Sequence, residues 1–199
     1  MLDLPELTGR HVTLIPLSEE HTDELFQASQ DDRIWTYLPS IVRTREDMAE
    51  IIKRALLDRR TGVDFPYVIR ENATNQLIGS TRYLDYSAEN HHIEIGWTWL
   101  TPRVWRTAIN TECKYLLLRY GFETLGMIRI QLKTDRRNTR SQQAIERIGA
   151  TKEGILRKHR ILHDGYIRDT VYFSIIDEEW PDRKRRLEEM LGIPLFDRD

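Results

Sequence analysis

Glu94 stands between Ile93 and Ile95, so in an extended strand its carboxylate points away from both apolar side chains. A carboxylate at the wall of a partly apolar cleft has the environment that raises its pKa and suits it to remove a proton from an amine. His92 shares that strand face and is a candidate proton relay; the plainer alternative is that Glu94 pairs with a strand neighbour such as Arg82. A second group is Arg103, Val104, Trp105, Arg106, Thr107 and Ala108, between a strand ending near Leu100 and a helix. Such a turn aims consecutive N–H groups at one point, with the positive end of the helix dipole behind them. Thr107 and Ala108 are small enough for phosphate oxygens to reach the backbone, while Arg103 and Arg106 add guanidinium donors. The pattern suits a pyrophosphate. Asn138-Thr139-Arg140-Ser141 follows a second apolar strand and opens another helix. His92 and Glu94 together are too few ligands for a metal, so no metal site is expected.

The elements that must position these groups alternate along the chain. Arg10 to Leu17 reads as a strand, and Ser18 as the N-cap of a helix to about Ser29. Thr44-Arg45-Glu46-Asp47 has capping-box form and starts a helix that Gly62 stops. Phe65–Arg70, Gln76–Tyr86 and His91–Leu100 read as three antiparallel neighbours, the first two joined by a polar turn. Asn110–Glu123 is a helix, Met127–Thr134 a strand, and Thr139–Ile148 a helix ending at Gly149. Ile155–Leu162 and Tyr166–Ile176 form a hairpin across His163-Asp164-Gly165. A charged helix from Asp177 to about Leu191 closes the chain, its charges paired along a solvated face.

Length and composition fit one soluble domain: 199 residues, 40% hydrophobic, 31% charged. A formal net charge of -2 gives no reason to expect nucleic acid. One cysteine, Cys113, excludes an intramolecular disulfide and reads as core packing. The first residues carry no basic and apolar leader, and no apolar run is long enough to span a membrane. A cytoplasmic location without membrane association is therefore expected.

The ordered set Ile93-Glu94-Ile95-Gly96-Trp97, Pro102 to Glu112, Tyr120 to Gly126, Asn138 to Ser141, Ile148-Gly149-Ala150, Glu153 to Arg157, Asp164-Gly165, Asp169 and Glu179-Trp180 resembles the GCN5-related N-acetyltransferase family, in particular its RimJ/RimL-like group. The resemblance runs from Leu7 to Trp180 and implies a mixed α/β fold: a mostly antiparallel sheet of about seven strands, flanked by helices. That sheet splays open between the Ile93 and Met127 strands. Acetyl-CoA would lie in the splay, with its pyrophosphate on Arg103 to Ala108, its pantetheine arm at Asn138 and its thiol facing Ser141. Glu94 would act as base and Ser141 as acid for the departing thiolate, and a backbone N–H near Thr98 would meet the developing oxyanion. Trp35 and Tyr37 would cover the acceptor site and Tyr83 would lie below it.

The expected activity is acetyl transfer to a primary amine, on a protein N-terminus or a small molecule; the sequence is compatible with a homodimer and does not fix the oligomeric state. A coenzyme A-binding module without turnover is the alternative. Two departures from the family pattern bear on this. Arg106 occupies the first glycine position of the phosphate loop, where an ordinary helical conformation with an outward guanidinium is expected. Ile145 stands where many relatives carry a tyrosine that protonates the thiolate, which leaves Ser141 as the better candidate.

Overall fold

The computed structural model describes residues 2–193. Its strands are β1 (Leu7–Thr8), β2 (Val12–Pro16), β3 (Asp64–Glu71), β4 (Leu77–Ser87), β5 (His92–Leu100), β6 (Arg129–Asp135), β7 (Thr151–Ile161) and β8 (Ile167–Ile176). Its helices are α1 (Thr22–Ala28), α2 (Arg45–Arg60), α3 (Ile109–Arg119), α4 (Thr139–Arg147) and α5 (Trp180–Leu191). The strands make one sheet in the order β1-β2-β3-β4-β5-β6-β8-β7. The eighth strand, beyond the seven read from sequence, is β1, whose two residues are too few to show a period.

Every neighbouring pair is antiparallel except β5 and β6, which run parallel and meet only at His92–Arg129, Ile93–Ile130 and Glu94–Gln131. Beyond Glu94 the two strands part. The cause lies in β5 itself: Ser80 pairs with Trp99 and Arg82 with Gly96, so β5 carries one more residue than β4 across that step. Trp97 absorbs the extra residue with a φ of 51°, the signature of a bulge that bends a strand out of its ladder. The left-handed residue is thus Trp97 and not the glycine before it, Gly96. A Cβ at Gly96 would come within 3.0 Å of the Glu94 Oε1 atom and 2.9 Å of Leu84, so the glycine leaves these side chains room.

Apolar side chains cover both faces of the sheet. Ile93, Ile95, Ile130, Leu132 and Phe173 pack with Cys113, Leu116 and Leu117 of α3 in one cluster. A second cluster joins Leu25 of α1 and Met48 and Ile52 of α2 to Val68 and Leu77. The α2 capping box forms as the sequence predicts: Asp47 accepts from the Thr44 N–H at 2.9 Å, and Thr44 Oγ1 accepts from the Asp47 N–H at 3.1 Å. Helix α3 ends at Arg119 and its expected last turn, Tyr120–Thr124, widens into a π-helix. Glu112 of α3 is buried and accepts from the N–H groups of Arg10, His11 and Val12 at 2.8, 2.6 and 2.8 Å. This carboxylate ties the start of β2 to the helix that borders the cleft.

Candidate active site

The parting of β5 and β6 leaves a cleft of about 670 Å³ walled by the two strands, the turn before α3, the start of α4 and the segment after α1. Eight basic side chains line it, Arg33, Arg106, Lys114, Lys133, Arg140, Arg147, Arg160 and Arg168, against a single carboxylate, Glu94. That imbalance defines a site for anionic ligands.

Glu94 is 1% exposed. Its Oε2 atom accepts from Lys133 Nζ at 2.7 Å and from Gln131 Nε2 at 3.0 Å, and Gln131 also donates to Asp85 at 3.0 Å. The ion pair foreseen with Arg82 is not the one formed. Arg82 binds Asp64 at 2.7 Å and lies 4.7 Å over the Trp97 ring, whereas Lys133 reaches Glu94 across the splay. The second carboxylate oxygen, Oε1, is buried and has no hydrogen-bond partner among the described residues. Burial pushes the Glu94 carboxyl above its usual range, against the opposing pull of Lys133 and Gln131, with Asp85 adding a smaller upward push. His92 sits two residues away with Nδ1 buried and unpartnered, at the closed end where β5 still pairs, and it does not line the cleft.

The turn before α3 departs from expectation in two ways. Arg103 turns away from the cleft and forms a two-point ion pair with Glu71, at 3.2 and 2.8 Å. Arg106 has a φ of 63° instead of the ordinary helical value, so an arginine holds the left-handed conformation that a glycine would take without strain. Arg106 is exposed and borders the cleft. Thr107 Oγ1 donates to the Val104 carbonyl at 2.8 Å and accepts from the Ile109 N–H at 3.3 Å, and Ala108 is the N-cap of α3. Among the described residues the N–H groups of Arg106, Thr107 and Ala108 find no acceptor. Trp105 anchors the turn by donating to the Leu100 carbonyl at 2.8 Å. Its ring carries Arg140 at 3.8 Å and Arg33 at 5.3 Å. Val104 is buried beneath, with its edge on the cleft.

Asn138 caps α4 by accepting from the Ser141 N–H at 3.0 Å, and both residues line the cleft. Thr98 does as well; its hydroxyl pairs with Thr81 at 2.8 Å and receives Lys114 Nζ at 2.5 Å. Lys114 is 6% exposed and among the described residues binds no carboxylate, and burial brings its ammonium down to about 8. Of the three acceptor-site aromatics, only Tyr37 lines the cleft. Trp35 is buried in the second core cluster, donating to the Ser29 carbonyl at 3.0 Å and packing on Trp99. Tyr83 is fully buried and donates to the Leu117 carbonyl. Trp97 and Trp99 border the cleft in their place.

Arg33, Lys114, Lys133, Arg147, Arg160 and Arg168 belong to the cleft without having been singled out by the sequence. Lys133 carried a readable signal, since it lies on the strand facing Glu94 and alternates with Leu132 and Thr134. Lys114 sits among apolar residues of α3, where nothing local marks it as cleft-facing.

A sheet split between two parallel strands, with a basic cleft and a helix N-terminus at its mouth, defines a class of enzymes that hold an acyl-CoA between the strands. This chain belongs to the acetyltransferase (GNAT) domain family, whose model matches residues 11–151. It is similar to the uncharacterized N-acetyltransferase YnaD of Bacillus subtilis, 28% identical over 78% of this chain and 88% of that protein. A GCN5-related N-acetyltransferase structure from Brucella melitensis superposes with a TM-score of 0.89 at 28% identity, covering 100% of this chain and 89% of its own. Mycobacterium smegmatis RimJ in complex with CoA-disulfide shares the fold, with a TM-score of 0.78 at 19% identity over 91% of this chain and 89% of its own. The protein is thus an acyl-CoA-dependent acetyltransferase of mixed α/β fold.

Proposed function

We propose that the protein transfers an acetyl group from acetyl-CoA to a primary amine by direct attack, with Glu94 as the base. The observation that carries this reading is the divided Glu94 carboxylate. One oxygen is held by Lys133 and Gln131, and the other is buried and unpartnered at the point where the strands part. An ammonium arriving there meets an acceptor already oriented and already desolvated.

The residues present fit the co-substrate. Its phosphates carry negative charge and the mouth of the cleft offers Arg33, Arg106 and Arg140 with the open N–H groups before α3. Acetyl-CoA supplies the acyl group as a thioester. Lys114 contributes a buried positive charge beside Thr98, and the Asn138 cap presents Ser141 to the cleft, where its hydroxyl is suited to give a proton to the departing thiolate. Arg103, tied to Glu71, serves the turn from outside. His92 lies away from the cleft and has no part in this scheme.

The RimJ/RimL-like assignment rests on fold neighbours of low identity, so the acceptor is taken as a primary amine, on a protein N-terminus or on a small molecule. Release of free thiol from acetyl-CoA across a panel of amines tests the activity. Thiol release that depends on the amine, and that Glu94→Gln abolishes near neutral pH, is expected. Tight coenzyme A binding with no thiol release for any amine would favour the binding-module alternative. Ser141→Ala is expected to lower turnover while leaving coenzyme A affinity nearly intact.

A further inference from the structure

Arg168 of β8 is 7% exposed and lines the cleft. Its Nε is buried without a hydrogen-bond partner, and among the described residues its guanidinium forms no ion pair. Arginine is rarely buried unless an anion accompanies it. Two carboxylates act on Arg168 from nearby, Asp135 and Glu94, and both are engaged. Asp135 receives Arg137 through its two oxygens at 3.1 and 2.9 Å, and Glu94 receives Lys133 at 2.7 Å.

Arg160 of β7 is the direct cross-strand partner of Arg168, lines the same cleft, and has no ion pair among the described residues. Like charges directly opposite one another destabilise a sheet unless an anion lies between them. This pairing is built in: β7 carries a bulge between Leu156 and Arg160, Lys158 has a φ of 50° within it, and Asp169 Oδ1 pins it by accepting from the Lys158 N–H at 2.9 Å. Bulges re-aim side chains, and this one sets Arg160 beside Arg168.

Coenzyme A does not account for the missing anion. Its phosphates fit the Arg33, Arg106 and Arg140 end, whereas Arg168 stands on β8, next to β6 and the Glu94–Lys133 pair. We propose that the acceptor is an amine bearing a carboxylate, which Arg168 and Arg160 bind while the amine is presented to Glu94. This rests on the acetyltransferase reading above. The carboxylate belongs either to a free amino acid or to an acidic side chain beside a peptide N-terminus.

The test compares matched acceptors with acetyl-CoA: amino acids against their amides, and Ala-Asp amide against Ala-Asn amide. The carboxylated member of at least one pair is expected to have a kcat/KM about tenfold or more higher, and which pair discriminates identifies the source. Arg168→Gln should erase the preference by raising KM for the acid about tenfold more than for its neutral partner. Arg168→Lys should restore part of it. Equal use of both members, or the same loss on both in Arg168→Gln, would overturn the proposal while leaving the acetyltransferase reading intact. Should no amine be acetylated, that reading fails instead. The inference is then decided by thermal shift: carboxylated amines raise Tm in the wild type and not in Arg168→Gln if it holds, and act equally on both if it does not.

Discussion

Lys133 reaches Glu94 across the gap between two strands that no longer pair, its Nζ 2.7 Å from Oε2. The last β5–β6 partners are Glu94 and Gln131, so Lys133 is the first β6 residue on that face beyond the ladder. The ion pair therefore marks where the cleft begins and sets the charge on its candidate base. Burial raises the Glu94 pKa and Lys133 opposes the rise.

Removing Lys133 should move the acid limb of the kcat/KM profile. In Lys133→Met the carboxylate keeps its burial and loses its cation, so its pKa climbs and the limb shifts to higher pH by about one unit or more. Glu94→Gln should lower activity by about a hundredfold or more near neutral pH and recover as solvent deprotonates the amine. A limb that stays in place in Lys133→Met would separate Glu94 from the proton transfer.

Lys114 predicts an alkaline gain in stability for the protein without coenzyme A. Its ammonium is brought down to about 8 from 10.5 by burial. Between those values the unfolded chain holds the proton and the folded one has released it, so stability increases with pH through that window and is lost as pH falls through about 8. Lys114→Met should raise the neutral-pH stability by on the order of 1–3 kcal/mol and flatten the rise, while weakening coenzyme A binding. Denaturant titrations at several pH values measure the first two effects, and calorimetric titration the third.

Arg106 separates backbone strain from charge. With φ at 63°, Arg106→Gly should be more stable than Arg106→Ala by about 1 kcal/mol, because only glycine occupies that conformation freely. Both variants lose the guanidinium, so both should bind coenzyme A about tenfold more weakly and with less dependence on salt. Wild-type affinity in Arg106→Gly would show that the N–H groups alone hold the phosphate.

Glu112 is a structural carboxylate, buried beside Gly9 and Arg10 and away from the cleft lining. It satisfies three backbone donors, so Glu112→Gln, which turns one acceptor into a donor facing N–H groups, should cost about 2–4 kcal/mol. The residual folded protein should keep the wild-type pH profile. A shifted profile at unchanged Tm would give Glu112 a role in the chemistry.

Periodicity and capping in the chain were enough to place seven of the eight strands and the five α-helices in their order. The alternation around Ile93 and Ile95 announces an inward carboxylate, the Thr44–Asp47 box announces α2, and the Asp164-Gly165 turn announces the last hairpin. These signals are local, acting within one turn or one strand, so a linear reading captures them. What depended on the third dimension was the identity of partners. Only packing decides that Arg103 meets Glu71 instead of the phosphate turn, that Trp35 and Tyr83 close cores instead of a pocket, and that Arg106 takes a glycine's conformation. Glu94 finds Lys133 and not Arg82 because the β5 bulge at Trp97 parts the strands and leaves Lys133 free to cross. Arg160 faces Arg168 because of a register shift that no composition records. Desolvation and partner choice are set by what the fold brings together from distant sequence, and it is these that turn a row of ionisable residues into a site.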